Sequence, residues 1–158
     1  MGVALVRAID QDAQSIYDIQ IQAFAPLLEK YRDYDTSPAN ETLDRVRARI
    51  NAPRSAYFKI IEAGVLVGAI RVWWKEETQF WISPIFIAPV HQGRGLSQQA
   101  LALAEQLYPE AESWELATIL EETRNCYLYE KIGYERTGVQ QRLNDQATLI
   151  YYKKTISQ

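Results

Sequence analysis

Residues 3–9 form a short apolar, β-prone run, and after it Ile16, Ile19, Gln20 and Ala23 fall on one helical face behind Asp10, a helix-capping residue type. Residues 25–40 keep no period; they carry Pro26, Pro38 and the polar-aromatic run Tyr31, Arg32, Asp33, Tyr34, Asp35, Thr36, and predict a loop. A second helix follows, with Leu43, Val46 and Ile50 facing inward. Strand-like runs at 56–63 and 65–74 meet at Gly64, and Glu76 and Glu77 separate the second from a third at 79–87, which predicts an antiparallel meander. Beyond Pro89 a glycine-rich turn feeds residues 98–107, rich in strong helix formers. A strand at 114–120, a helix at 122–132 ended by Gly133, and closing strands at 134–140 and 147–156 complete the order β, α, α, β, β, β, α, β, α, β, β.

The chain of 158 residues is long enough for one domain, 1–158, and shows no repeat or linker. Seventeen Lys and Arg against twenty Asp and Glu leave a net charge of -3, so no global positive field would hold nucleic acid or an anionic membrane. One cysteine, Cys126, and one histidine, His91, exclude an intramolecular disulfide and multi-Cys or multi-His metal clusters, and no metal is expected. Arg7 interrupts any secretory core, Val6 replaces the Ser or Thr of a myristoylation signal, and the longest uncharged stretch, 78–93, is broken by Pro84 and Pro89. The expectation is a cytoplasmic protein without a membrane partner.

The densest chemical signal is the run His91, Gln92, Gly93, Arg94, Gly95, Leu96, Ser97 between a strand and a helix. Glycines let backbone N–H groups turn inward, and the first helical turn adds unpaired N–H groups, so the segment suits a phosphate or pyrophosphate; the alternative is a tight turn with no ligand. It is not a Walker loop, which needs Gly-Lys-Ser/Thr, nor a dinucleotide fingerprint, which needs glycine where Gln98 stands. Pro84 within an apolar strand indicates either an edge strand or a bulge.

Residues 92–97 resemble the Q/R-x-x-G-x-G/A signature of the GNAT superfamily of N-acetyltransferases, with Ser97 in the final small position. The strand Ile85, Phe86, Ile87, Ala88 ending in Pro89, and the downstream Leu128, Tyr129, Glu130, Lys131, Ile132, Gly133, Tyr134, resemble two further elements of that family in the right order. The resemblance covers nearly the whole chain. It implies an α+β fold with a mixed, mostly antiparallel sheet of about seven strands flanked by about four helices, splayed between the fourth and fifth strands. It also implies acetyl-CoA as acetyl donor, its pyrophosphate on the backbone of Gln92, Gly93, Arg94, Gly95, Leu96 and Ser97 and its pantetheine arm along Ile85, Phe86 and Ile87. Tyr129 stands where the family commonly places the acid that protonates the departing thiolate. Asn125 is a displaced candidate for the cofactor-binding asparagine, whose usual position holds Glu122.

The general base is absent from its usual strand, where Trp81 and Ser83 stand; Glu115 on the following strand is the first substitute, with a solvated strand end or a water relay as alternatives. Tyr31, Asp33, Tyr34 and Asp35 place two carboxylates among two rings, which suits an ammonium-bearing acceptor, or is simply a solvated loop. The leading expectation is transfer of an acetyl group to a primary amine of a small molecule or peptide. The alternatives are a noncatalytic acyl-CoA binding module and an interaction domain in which Trp73, Trp74 and the strand Ile150, Tyr151, Tyr152 could close a homodimer.

Overall fold

The computed structural model describes residues 2–156. Seven strands, β1 (Val3–Arg7), β2 (Ser55–Glu62), β3 (Val65–Glu76), β4 (Gln79–Ile87), β5 (Ser113–Ile119), β6 (Glu135–Arg142) and β7 (Thr148–Thr155), form one sheet in the order β1-β2-β3-β4-β5-β7-β6. Four α-helices, α1 (Ala13–Tyr31), α2 (Leu43–Ile50), α3 (Leu96–Leu107) and α4 (Thr123–Lys131), cover its two faces. One face packs α1 and α2 through Ile16, Val46, Tyr57 and Phe86; the other packs α3 and α4 through Leu101, Trp114, Leu116 and Tyr134.

All neighbouring strands pair antiparallel except β4 and β5. These two run parallel for only three pairs, Gln79 with Ser113, Phe80 with Trp114 and Trp81 with Glu115, and then part. The cause lies in β4. Ile70 pairs with Ile85 and Val72 with Ile82, so two steps along β3 face three along β4, a bulge centred on Ser83 and Pro84. Pro84 has no N–H to give a ladder, and the extra residue puts both Ile82 and Ile85 on the α3 side, where strict alternation would separate them. Arg71 lies opposite the interruption and donates from Nη1 to the Ser83 carbonyl (3.2 Å) and from Nε to Ser55 Oγ (3.0 Å). Pro84 thus marks a bulge within β4, a strand in the middle of the sheet order whose β5 side is left unpaired at this point.

The structure differs from the sequence expectation at α1, which continues through Pro26 to Tyr31 where a loop is predicted. A proline removes one ladder bond, but tertiary contacts on both sides of it hold the helix: Phe24 meets Phe86 edge to face (5.8 Å), and Tyr31 is 5% exposed and bonds to Glu122. The helix ends at Arg32 in a left-handed conformation, φ 55°. Asp10 begins a short 3₁₀ turn, and it is Asp12 that takes the Ile9 N–H (2.8 Å) just before α1. The loop after α1 is tied down from below by fully buried Gln20, whose amide donates to the Pro38 carbonyl (2.9 Å) and to Glu41 (2.7 Å). Glu41 also accepts both terminal nitrogens of Arg49. At the other end, β7 is flanked by β5 and β6, so its backbone offers no free edge.

Candidate active site

Where β4 and β5 part, a cavity of about 430 Å³ opens through the sheet. Its walls come from the β4 bulge, from residues 116–119 of β5, from Asn125 and Tyr129 on α4, from the end of α1 with the loop behind it, and from Leu143, Leu149 and Tyr151. Asn144 donates from its amide to the Tyr31 carbonyl (2.7 Å), fastening the β6–β7 turn to the end of α1 and closing that side. The site therefore sits where the sheet is forced open and three separate segments meet over the gap.

Tyr129 faces this cavity and is otherwise enclosed by protein, with Tyr134 and Tyr152 each 6.2 Å from its ring. Its hydroxyl has no hydrogen-bond partner among the described residues. Burial first, and then the Cys126 thiol, push the phenol up to about 12, so the hydroxyl, neutral at pH 7 as any phenol is, keeps its proton well into the alkaline range. Asn125, one helical turn earlier on α4, lines the same cavity. Cys126 is buried and directs its thiol to the Ile119 and Leu120 carbonyls (3.7 Å each), a packing role, while Tyr127 is 64% exposed. Glu122, where the resemblance led us to look for asparagine, is a strut: it accepts from the Tyr31 hydroxyl (2.5 Å) and from Lys30 (2.9 Å). Burial alone would raise the Glu122 carboxyl, but these two bonds outweigh it and hold the group below the usual range.

In the turn into α3 the longer side chains are tied back to the protein. Gln92 donates to the Ile87 carbonyl (2.9 Å), Arg94 pairs with Glu62 (2.8 Å), and Leu96 is in the core. What remains is backbone. Gly93 and Gly95 are left-handed (φ 83° and 74°), no atom lies within 4 Å of where a Cβ would stand on either, and Gln99 is the first amide to bond back, to the Gly95 carbonyl (3.2 Å). The N–H groups of residues 93–98 have no acceptor among the described residues. A row of unpaired amides below open space, at a helix N-terminus, fits an anionic diphosphate.

The structure separates the remaining sequence candidates. Ile85 lines the cavity, whereas Phe86 points to the opposite core against Phe24 and Ile87 is buried on the α3 side. Tyr31 and Asp33 reach the cavity wall. Tyr34 is 59% exposed outside it, and Asp35 does not line it. Ser97 stays at the α3 N-terminus. Glu115 is in register with Trp81 and Lys153 but stands outside the wall. Trp73, Trp81 and Tyr151 form part of the wall, although the sequence offered Trp73 and Tyr151 only as an interaction surface and Trp81 only as the residue standing where a base is missing; the pairing of Trp73 with Trp81 across the meander is the signal that could have joined them to the site. Among the described residues, no cluster of three His, Cys, Asp or Glu side chains could hold a metal ion, and no helix is long and apolar enough to cross a membrane.

A sequence model of the Acetyltransferase (GNAT) family matches residues 13–134. The fold is similar to that of a ribosomal-protein alanine N-acetyltransferase from Escherichia coli, with TM-score 0.79 and 14% identity over 99% of this chain and 95% of that one. It is also similar to a variant spermidine N-acetyltransferase from Vibrio cholerae (TM-score 0.73, 16% identity, 97% and 93% covered). A third similar structure is an N-acetyltransferase from Thermoplasma acidophilum in complex with coenzyme A (TM-score 0.71, 10% identity, 99% and 100% covered). A search of curated protein sequences finds no match. The chain belongs to the acetyltransferase (GNAT) family. It is accordingly an acetyltransferase.

Proposed function

We propose that the protein acetylates the primary amine of a small acceptor by direct attack within the β4–β5 gap, with Tyr129 as the acid. The observation that carries this reading is the neutral, unbonded Tyr129 hydroxyl facing a cavity that opens between two diverging strands. Acetyl-CoA, when bound, supplies an activated thioester carbonyl. The amides of residues 93–98 hold its diphosphate, and the unpaired side of β4 beyond Trp81 gives its arm a backbone to follow. The uncharged amine nitrogen forms the C–N bond as the C–S bond breaks, the Tyr129 hydroxyl donates its proton to the departing sulfur, and the amine's surplus proton leaves the site. Glu115, in register with Trp81 of the wall, is the base that takes that proton through water.

Thiol release from acetyl-CoA, followed over a panel of amines, tests the reading directly; no release with any primary amine would sink it. The pH dependence of kcat/KM adds a second check. Because Tyr129 is raised above its ordinary value, it keeps its proton through pH 10 and loses it only as pH passes about 12. The profile should therefore rise as the amine becomes neutral and then stay level to about pH 11; a fall centred below pH 10 would remove Tyr129 from the acid role.

Glu115→Gln is expected to lower kcat at pH 7 by about 10²-fold, the lower end for a general base, with activity recovering at a pH where the amine arrives uncharged. Unchanged kcat at pH 7 would mean that the proton passes to solvent without Glu115.

A further inference from the structure

The cavity wall carries a second pattern that acetyl transfer by itself does not need. Trp73 and Trp81 stand opposite each other on β3 and β4, their rings stacked at 5.5 Å and inclined by 16°, and Tyr151 meets Trp81 edge to face at 6.4 Å. All three are only half-buried, and none belongs to either apolar core. The helices α1 and α2 spend their apolar faces on Tyr57, Ala69 and Phe86, which leaves the aromatic group as an uncovered shelf at the gap. Exposed tryptophan faces beside a cavity of about 430 Å³ are a costly arrangement for a sheet unless something apolar comes to rest on them.

The charge of the wall is equally specific. Of its lining residues, Asp33 is the one carboxylate, and no Lys, Arg or His takes part. Tyr31 has its hydroxyl committed to Glu122, and Asp33 accepts the Thr36 hydroxyl and N–H, which leaves lone pairs on the carboxylate for one further donor. A ligand with several ammonium groups would turn its extra charges to Leu and Ile side chains and to tryptophan faces, where cation–π attraction offsets only part of the lost hydration. One cation can be matched here; three cannot.

We infer that the acceptor is a small monoamine with an aryl body, seated against Trp73, Trp81 and Tyr151 with its ammonium directed to Asp33 before deprotonation. This rests on the reading that the amine enters the β4–β5 gap. Polyamines and peptide N-termini are the competing acceptors, and the experiment separates them.

The rates of thiol release are compared for 2-phenylethylamine, n-butylamine, spermidine and a peptide beginning with Phe, at saturating acetyl-CoA. 2-Phenylethylamine should exceed each of the others in kcat/KM by about tenfold or more, the discrimination an apolar pocket can supply. Trp81→Leu should erase most of that preference without changing the acetyl-CoA dissociation constant. If Trp81→Leu does not fold, Trp73→Leu replaces it. A direct titration of the wild-type protein should show saturable quenching of tryptophan emission by 2-phenylethylamine and none by spermidine at equal concentration. Equal or better turnover of spermidine or of the peptide overturns the inference while leaving the N-acetyltransferase reading intact. If no amine is turned over, that reading fails, and the quenching titration alone decides whether the shelf binds an aryl amine.

Discussion

Tyr129→Phe is expected to lower kcat by about 10²- to 10⁴-fold, the span typical of losing a general acid, while acetyl-CoA affinity persists. The substitution removes one oxygen and keeps the ring that packs between Tyr134 and Tyr152. Because the hydroxyl bonds to no described residue, its loss leaves no orphaned partner in the protein, and the thermal midpoint should stay close to that of the wild type. Stability and chemistry are thus separable at this position. The pH dependence of stability is a corollary: the raised phenol contributes fully below pH 10, and its contribution is lost as pH climbs through about 12. In Tyr129→Phe that alkaline loss should be smaller. Steady-state kcat at saturating amine, acetyl-CoA titration calorimetry and thermal unfolding on both proteins decide the matter; full activity in the Phe variant would reduce Tyr129 to a packing residue.

The parts of the fold written in local pattern were legible from the sequence. The meander of β2, β3 and β4 is marked by Gly64 and by Glu76 and Glu77, and the turn into α3 by Gly93 and Gly95. Pro84 was readable as a disruption, but whether it marked an edge or a bulge depended on its partner strand, and the offset between Ile70–Ile85 and Val72–Ile82 resolved it. The extension of α1 through Pro26 was not legible, because it is stabilised by Phe86 and Glu122, which lie far along the chain. The same limit applies to the site. Tyr129 could be placed by its motif, yet the upward shift of its phenol follows from an enclosure by Cys126, Tyr134 and Tyr152. Glu122 stood in the usual place of a cofactor-binding asparagine with no role of its own until its bonds to Lys30 and Tyr31 explained it as a clamp between α4 and α1. Tyr34 and Asp35 shared the composition of Tyr31 and Asp33, but Tyr31 ends α1 with its hydroxyl on Glu122 and Asp33 is held at the wall by the Thr36 N–H and hydroxyl, while Tyr34 stands exposed outside it. Sequence composition cannot choose between neighbours; their bonding partners can.

Gly95→Val should abolish acetyl-CoA binding, raising the dissociation constant by about 100-fold or more, equivalent to about 2.7 kcal/mol. Two effects act together at this position. Its φ of 74° is a conformation that a β-branched residue reaches only at a cost of about 1–2 kcal/mol, and the added side chain would occupy the open space above the unpaired amides of residues 93–98. The first effect is strain and the second is obstruction, and a matched control divides them. Gly64, in the β2–β3 turn, has nearly the same φ of 79° and equally open surroundings, but lies outside the cavity wall and the α3 turn. Gly64→Val therefore carries the same backbone penalty without touching the anion cradle. The two variants should unfold at similar temperatures, both somewhat below the wild type, and only Gly95→Val should lose acetyl-CoA affinity. Calorimetric titration of all three proteins makes the comparison: if Gly95→Val binds as the wild type does, the diphosphate lies elsewhere, and if Gly64→Val loses as much affinity, the effect is strain and not recognition.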